Sequence, residues 1–515
     1  MGVLKYQVTK TKTNIEGFDH IAMGGLPTNR TTLVSGTAGS AKTLFAVQFL
    51  AEGITKADEN GVFITFEEAP DDIYKNMAGF KWNIRQWEDE GKWKFIDASP
   101  QVGDEVVISG NYDFGALIAR IEYSVSKVKA KRVSMDSLGA IFNRYEDKAI
   151  VRKEIFRLVN ALKKMNVTAI ITAERTDEYG EIGRYGVEEF VTDNVVILRN
   201  VLEDEKRRRT VEILKLRGTQ HHTGECPFTI NEKGIIAIPL SAIQLEQKSS
   251  NKRITSGVPE LDKMCGGGIF RDSVILASGA TGTGKTLMSS HFIYGGTTNN
   301  ERCLLFAYEE SREQLLRNAI GWGLDLEKME KKGLLQVEAI YPETASIEGH
   351  LLRMQEKIDK FKPTRVAVDS LSALERVASI KGFREFVIGL TCFLKEREIT
   401  GFLTSTTPTL MGGPSITEGH ISTITDLIIM LRYVEAFGEM RRGITVLKMR
   451  GSMHDKSVKE FAIDHQGMHI GKPFRDVVGI IAGRPTYVER PTDIERMKNM
   501  FDDSDTIENK PKDED

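Results

Sequence analysis

GATGTGKT, running Gly279, Ala280, Thr281, Gly282, Thr283, Gly284, Lys285 and Thr286, decides the fold. It follows DSVILAS, a β-branched apolar run that reads as a strand, and leads into LMSSHFIY, which reads as a helix. Strand, Gly-rich loop, Lys-Thr and helix in that order form a phosphate-binding P-loop in its proper context. Backbone N–H groups of such a loop and of the helix N-terminus point at phosphates, and the glycines let the backbone come close. Lys285 can then reach the β and γ phosphates, and the Thr286 hydroxyl can ligate Mg²⁺. A chance Gly-rich turn would not fill every fixed position with both flanks correct.

A second P-loop stands upstream. GTAGSAKT comprises Gly36, Thr37, Ala38, Gly39, Ser40, Ala41, Lys42 and Thr43, after the strand-like RTTLVS. Lys42 and Lys285 are 243 residues apart, as are Asp19 and Asp262, and Gly25 and Gly268. The carboxylate pair Glu67-Glu68 returns as Glu309-Glu310 at a step of 242. Asp136 in RVSMD returns as Asp369 in RVAVD, and LKLRG as LKMRG, both at 233. Features in one order at nearly one spacing mean tandem duplication. The step falls by nine between the Glu pair and the Asp, so the first copy is expected to hold an insertion in Pro100 to Gly115, read as a surface loop. Each copy alternates apolar strand-like runs with helical patterns, which predicts an α/β fold on a mainly parallel sheet. The boundary falls in the polar run Glu246 to Gly257, giving domains at 1–247 and 248–477 and a C-terminal segment at 478–515. From Phe501 to Asp515 seven acidic residues face two lysines with almost nothing apolar, which reads as a disordered acidic tail.

Composition narrows the function classes. The chain has 515 residues, 40% hydrophobic and 28% charged, so it can bury sizeable cores without staples. A net charge of −3 leaves no global basic footprint for nucleic acid. Cys226, Cys265, Cys303 and Cys392 form no CxxC pair, which fits a reducing cytoplasm and argues against structural zinc. No signal peptide and no membrane-spanning run is expected.

Asp136 and Asp369 end apolar strands. A carboxylate there holds Mg²⁺ directly or through water; the alternative is a helix cap, and the repeat beside two P-loops favours the metal. Glu67-Glu68 and Glu309-Glu310 also end strands, where an ionised carboxylate can take a proton from a nucleophile attacking the γ-phosphate. Lys215 and Arg217, and Lys448 and Arg450, alternate on one strand face. They stand either as solvated edge-strand bases or as groups that stabilise charge on a transferring phosphoryl, often across subunits. One difference between the copies is informative. Counting at 233, Glu189-Phe190 aligns with Ser422-Thr423, so only the second copy offers a hydroxyl pair. From the residues alone this pair reads equally as an ordinary polar loop.

The tandem P-loops, the EE pairs, LKLRG and LKMRG, and EGHISTITD from Glu418 to Asp426 closely resemble the KaiC family of cyanobacterial circadian clock ATPases and autokinases, over almost all of residues 12–477. The resemblance implies two RecA-like domains stacked as a double ring of six chains, a homohexamer with ATP at subunit interfaces. It implies that the first copy hydrolyses ATP and the second phosphorylates and dephosphorylates Ser422 and Thr423 of a neighbour. Thr417 matches a third hydroxyl near these phosphosites, Arg376 an arginine of that region, and His221 a nucleotide contact. Thr43, Thr286, Asp136, Asp369 and Glu309 become the expected Mg²⁺ set. KaiB is expected on the first copy and KaiA on the C-terminal segment. Two positions depart from the family: Ala41 replaces the P-loop glycine before the lysine, and Val478 to Met500 with the acidic tail match only loosely, as in a paralogue outside the standard oscillator.

Two other readings use the same fold. A RecA-like DNA-stimulated ATPase needs a basic or aromatic strand-binding path, and the one basic run, KRRRT from Lys206 to Thr210, reads as a hairpin tip. A ring scaffold would use ATP only to assemble. Neither nucleic acid nor a membrane is therefore expected as a partner on this sequence.

Overall fold

The structure, a computed structural model, describes residues 8–99, 114–137, 139, 148–183, 188–203, 206–239, 250–407, 421, 423–436, 439–474, 477–478 and 486–487. The chain divides into two compact units, Met1–Leu245 and Glu246–Asp515.

The first unit is built on nine strands: β1 (Thr31–Gly36), β2 (Gly61–Thr65), β3 (Trp93–Asp97), β4 (Arg132–Asp136), β5 (Thr168–Glu174), β6 (Asn194–Glu203), β7 (Lys206–Leu216), β8 (Glu225–Asn231) and β9 (Gly234–Ala237). They lie in the order β3-β2-β4-β5-β1-β6-β7-β8-β9. The six strands from β3 to β6 are parallel and the last three pairings antiparallel. Helix α1 (Lys42–Ala57) follows β1 directly, while α2 (Phe114–Val128) and α3 (Lys148–Lys164) follow β3 and β4 in the chain. The central strands are short apolar runs buried on both faces, as parallel sheets covered by helices require. Phe45, Phe49, Phe63 and Trp93 fill one core with α1. Ile121, Val133, Ile155 and Ile171 fill a second under α2 and α3.

The second unit repeats the plan. Its strands are β10 (Val274–Gly279), β11 (Cys303–Ala307), β12 (Leu335–Ala339), β13 (Arg365–Asp369), β14 (Thr400–Thr406), β15 (Leu427–Ala436), β16 (Glu439–Met449), β17 (Lys459–Asp464) and β18 (Gly467–Pro473). Their order is β12-β11-β13-β14-β10-β15-β16-β17-β18, the first order with every label raised by nine. Helices α4 (Lys285–Thr298), α5 (Ile347–Phe361) and α6 (Ile380–Glu396) complete it. Leu287, Phe292, Leu305 and Phe402 lie in its core.

A buried arginine opens the same strand in both units. Arg132 and Arg365 are 1% and 0% exposed. Each pairs with a carboxylate: Arg132 with Glu59 at 2.6 Å and Arg365 with Glu301 at 2.9 Å. Each also donates to a helix carbonyl, of Phe49 at 2.8 Å and of Phe292 at 3.0 Å. A guanidinium with its donors satisfied survives burial; one stripped of its partner would not. Gly53 and Gly296 make the room, since a Cβ on Gly296 would lie 2.6 Å from Arg365 Cδ.

The connection from β3 to α2 spans 98–113, nine residues more than that from β12 to α5 at 340–346. The insertion therefore falls where the spacing places it. Phe114 and Gly115, expected as loop, instead open α2, because Phe114 is buried as the helix's first anchor. Pro100 to Asp113 lie outside the described residues, as does the acidic tail. In the C-terminal segment Val477–Val478 pairs antiparallel with Thr486–Tyr487. Lys206–Thr210 form the first part of β7, where Lys206 pairs with Glu203 at the end of β6. Among the described residues no helix is long and apolar enough to cross a membrane.

Candidate active sites

Each P-loop leaves the C-terminal end of a central strand and runs into a helix. Gly39 and Gly282 take left-handed φ values of 74° and 79°, and Ala41 and Gly284 take 75° and 104° just before the helix. These reversals fold the loop into a cradle of backbone N–H groups. The loops are closed by matching bonds: Ser40 Oγ donates to Thr37 O at 2.8 Å and Thr283 Oγ1 to Ala280 O at 2.7 Å. Lys42 Nζ donates to Thr37 O at 2.9 Å, and Lys285 Nζ to Gly279 O and Ala280 O at 2.8 and 2.9 Å. Burial pushes both lysines below the ordinary lysine range, although nearby carboxylates oppose it. Both ammonium groups are thus held inside their loops and poised for an anion. Ala38 and Thr281 lie within these loops.

The carboxylates assemble identically in both units. Thr43 Oγ1 donates to Asp136 Oδ2 at 2.6 Å, and Thr286 bonds to Asp369. On the neighbouring strand Thr172 donates to the other oxygen of Asp136, and Thr404 donates to Oδ1 of Asp369. Both aspartates therefore face the P-loop hydroxyls, and the helix Leu371–Glu375 after Asp369 has Ser370, not the aspartate, at its N-cap. Asp369 is 5% exposed, and burial raises its carboxyl above the usual range. Ser137 Oγ donates to Glu67 Oε1 at 2.9 Å, and Ser370 Oγ to Glu309 Oε1 at 2.8 Å. Asn76 and Asn318 hold Glu68 and Glu310, each at 3.1 Å. So the strand-end aspartate, the serine after it and the glutamate pair form one bonded array. Glu67 is exposed in the isolated protomer, yet the protein packed around it raises its carboxyl; burial does the same to Glu310.

The basic pairs lie elsewhere. Lys215 Nζ donates to Glu189 O and Thr192 O at 2.9 and 2.8 Å, and Arg217 lies 3.6 Å from Asp193. Lys448 Nζ donates to Thr425 O at 2.7 Å, and Arg450 to Thr423 O at 2.6 Å, with Asp426 3.5 Å away. Thr192 and Asp193 precede β6, whose Asn194 is opposite Thr32 while its Leu198 is opposite Gly36. The bases therefore sit at the start of β1, about 16 Å of strand from the P-loop at its end, at roughly 3.3 Å per residue. The same register, Ile275 opposite Leu427 and Gly279 opposite Leu431, puts Lys448, Arg450 and Thr423 at the far end of β10. Thr423 is exposed in the turn before β15. Ser422 and Thr417 lie outside the described residues. His221 is half-buried, its Nδ1 3.1 Å from His222 O, and Arg376 is exposed after the short helix Leu371–Glu375.

Over residues 11–242 and 254–474 the chain matches the family described as "ATPase: KaiC". The chain belongs to the KaiC family. A protein of Synechocystis sp. named circadian clock protein KaiC3 is 66% identical over 497 residues, covering 96% of this chain and 98% of its own. A circadian clock oscillator protein KaiC of Thermostichus vulcanus is 57% identical over 499 residues, 96% of both chains. One of Synechococcus elongatus is 56% identical over 482 residues, 93% of this chain and 92% of its own. As a KaiC-family ATPase, the chain has ATP for its substrate.

Sequence reasoning passed over several side chains of these KaiC-type sites. Ser137 and Ser370 tie the glutamates to the aspartates, and their place directly after each strand-end Asp was the available signal. Glu178 reaches the first P-loop, accepting from Thr37 Oγ1 at 2.5 Å and from Asn200 N at 3.2 Å. The second P-loop has Ala280 where Thr37 stands. Glu174, at the end of β5, is the fourth such residue.

Proposed function

We propose that the first copy of this KaiC-family chain hydrolyses ATP, and that the second moves the γ-phosphoryl group to and from Ser422 and Thr423 of a neighbouring subunit in a homohexamer. The observation that carries this reading is the separation inside each copy. Nucleotide cradle and carboxylates sit at one end of the central strand, and the basic pair sits at the other. In the second copy the Thr423 turn also lies at that other end. One protomer cannot bring Lys448, Arg450 or Thr423 to its own P-loop, but a neighbour packed head to tail can. Lys and Arg delivered across such an interface act as transition-state clamps on the phosphoryl group.

Thr43 with Asp136, and Thr286 with Asp369, fit Mg²⁺, which takes one or two oxygen ligands from protein and the rest from phosphates and water. Glu309 belongs to the same cluster. When bound, Mg²⁺ would neutralise charge building on the phosphate oxygens. Glu67-Glu68 and Glu309-Glu310 accept the proton of the attacking water or hydroxyl. The P-loop lysines, already held inside their loops, orient the phosphates.

The higher identity to the protein named KaiC3 than to those named KaiC supports a clock or timing role of the KaiC3 kind. In that role KaiB docks on the first copy, KaiA on the C-terminal segment, and the protein works in the cytoplasm. Incubating the purified chain with Mg-ATP, with and without KaiA and KaiB, and mapping phosphosites over time tests the reading. Phosphate is expected on Ser422 and Thr423 only where rings form. Its absence from both, with ATP consumed, would reduce the chain to an ATPase.

A further inference from the structure

The two copies differ in one side chain beside the P-loop. β5 ends in Glu174 and β14 in Thr406. Each is the ladder partner of the last strand residue before its P-loop, Gly36 and Gly279. In both copies the next residue, Arg175 or Thr407, donates its N–H to that glycine's carbonyl at 3.1 Å. The backbone is placed alike, so the change from hydroxyl to carboxylate acts at one point in space. Strand order puts the tip of β5 between the P-loop strand β1 and β4 with Asp136, and β2 with Glu67 lies next beyond. Glu174 is exposed at that strand tip. Its charge, with those of Asp136, Glu67 and Glu178, opposes the lowering of the Lys42 ammonium that burial causes, and it helps to raise the Glu67 carboxyl. The carboxylates that act on Lys285 are Asp369 and Glu309.

An attacking water and an attacking protein hydroxyl need different things from the site. A side-chain hydroxyl has one proton and is aimed by its own backbone. Water has two protons and no tether, so turning a lone pair to phosphorus takes two acceptors. The Glu67-Glu68 pair supplies one. We propose that Glu174 supplies the other and so commits the first site to hydrolysis, while Thr406 leaves the second site suited to a tethered hydroxyl. The inference rests on the division of labour proposed above. In the step, the water oxygen bonds to the γ-phosphorus as the bond to the bridging oxygen breaks, and that electron pair leaves with ADP. One water proton passes to the glutamate pair and from there to solvent. The other stays on the new phosphate oxygen, directed during attack by Glu174.

The test uses the full chain carrying Lys285→Ala, so that turnover belongs to the first site. If this parent does not hydrolyse ATP, the division of labour fails and the inference with it. If it does, adding Glu174→Thr is expected to lower kcat about tenfold with KM not raised and bound nucleotide per chain retained. Glu174→Gln keeps an acceptor oxygen and is expected to fall between the two. A kcat loss under threefold, or a loss matched by lost nucleotide, overturns the assignment to Glu174 while leaving the division of labour standing. The reciprocal Thr406→Glu, in the otherwise unchanged chain, is expected to lower phosphate on Thr423 several-fold and raise free phosphate release. Unchanged phosphorylation overturns the part assigned to Thr406.

Discussion

The two nucleotide sites are built to one plan and part company at single side chains. Lys42 and Lys285, Asp136 and Asp369, Ser137 and Ser370, and the glutamate pairs hold matching bonds, Lys285 with one more to Gly279 O. At Glu174 and Thr406 the side chain differs while the strand pairing around it does not. Phe190, 64% exposed, stands where the second copy presents Thr423, and Glu174 stands where it has Thr406. After duplication, a strand end can exchange its side chain at little cost to the fold, because it lies outside the packed core. The cradle cannot, because its backbone makes the site. Disabling one lysine at a time gives the largest separation. Lys285→Ala is expected to abolish phosphate on Ser422 and Thr423 while ATP hydrolysis persists, and Lys42→Ala to remove first-site binding and weaken assembly. Phosphosite mapping with hexamer mass checks both; phosphate gained by Lys285→Ala would erase the distinction.

A smaller effect tests the proton acceptor. Glu309→Gln keeps shape and one acceptor but cannot take a proton. The phosphorylation rate at saturating ATP is expected to fall about a hundredfold with nucleotide affinity kept. A lost affinity with an unchanged rate would make Glu309 structural.

The acid limb of first-site hydrolysis should move less. Glu67 must be ionised to act, and burial raises its carboxyl, so activity is expected to fail, as pH drops, above the ordinary glutamate value of about 4.3. The Ser137 hydrogen bond favours the ionised form. Ser137→Ala should therefore carry the limb to still higher pH. A limb that moves down, or stays, would remove Glu67 from the rate.

The sequence was most legible where chemistry fixes spacing. Both P-loops, the strand-end aspartates and the nine-residue insertion follow from motif positions, because a phosphate cradle tolerates few alternatives. Alternation put Lys215 and Arg217 together, but only strand register shows that they stand at the far end of β1 from Lys42. A register is set by pairing between distant segments and leaves no local mark. Glu174 escaped for a related reason. The step between copies slips from 233 at Asp136 to 232 along β5, so alignment by motifs sets Glu174 against the wrong partner. Phe114 and Gly115 read as loop because a buried aromatic that starts a helix looks, in sequence, like the end of a polar run.

The finest test concerns Ala41, the residue before the first P-loop lysine. An added methyl matters little in a helical backbone and more where φ is positive. Here φ is 75° and ψ 30°, a left-handed position that costs an L-residue about 1–2 kcal/mol. Two terms offset it. The methyl packs against the core of the first unit, and a glycine would gain unfolded-state freedom worth roughly 0.4–1 kcal/mol. Ala41→Gly is therefore expected to change stability by no more than about 0.5 kcal/mol, or about 1–2 °C in Tm for a domain of this size. Gly284 has no such compensation. Its φ is 104°, and a Cβ there would lie 3.0 Å from Ile463 Cδ1 and 3.5 Å from Met468 Cε. Gly284→Ala is expected to cost about 1–3 kcal/mol, the usual toll of a residue forced into a sparsely populated backbone region. Calorimetry of both variants with nucleotide bound decides the matter. A rise of several degrees for Ala41→Gly would show uncompensated strain in the first cradle; equal losses for both variants would show that the two loops tolerate a side chain alike.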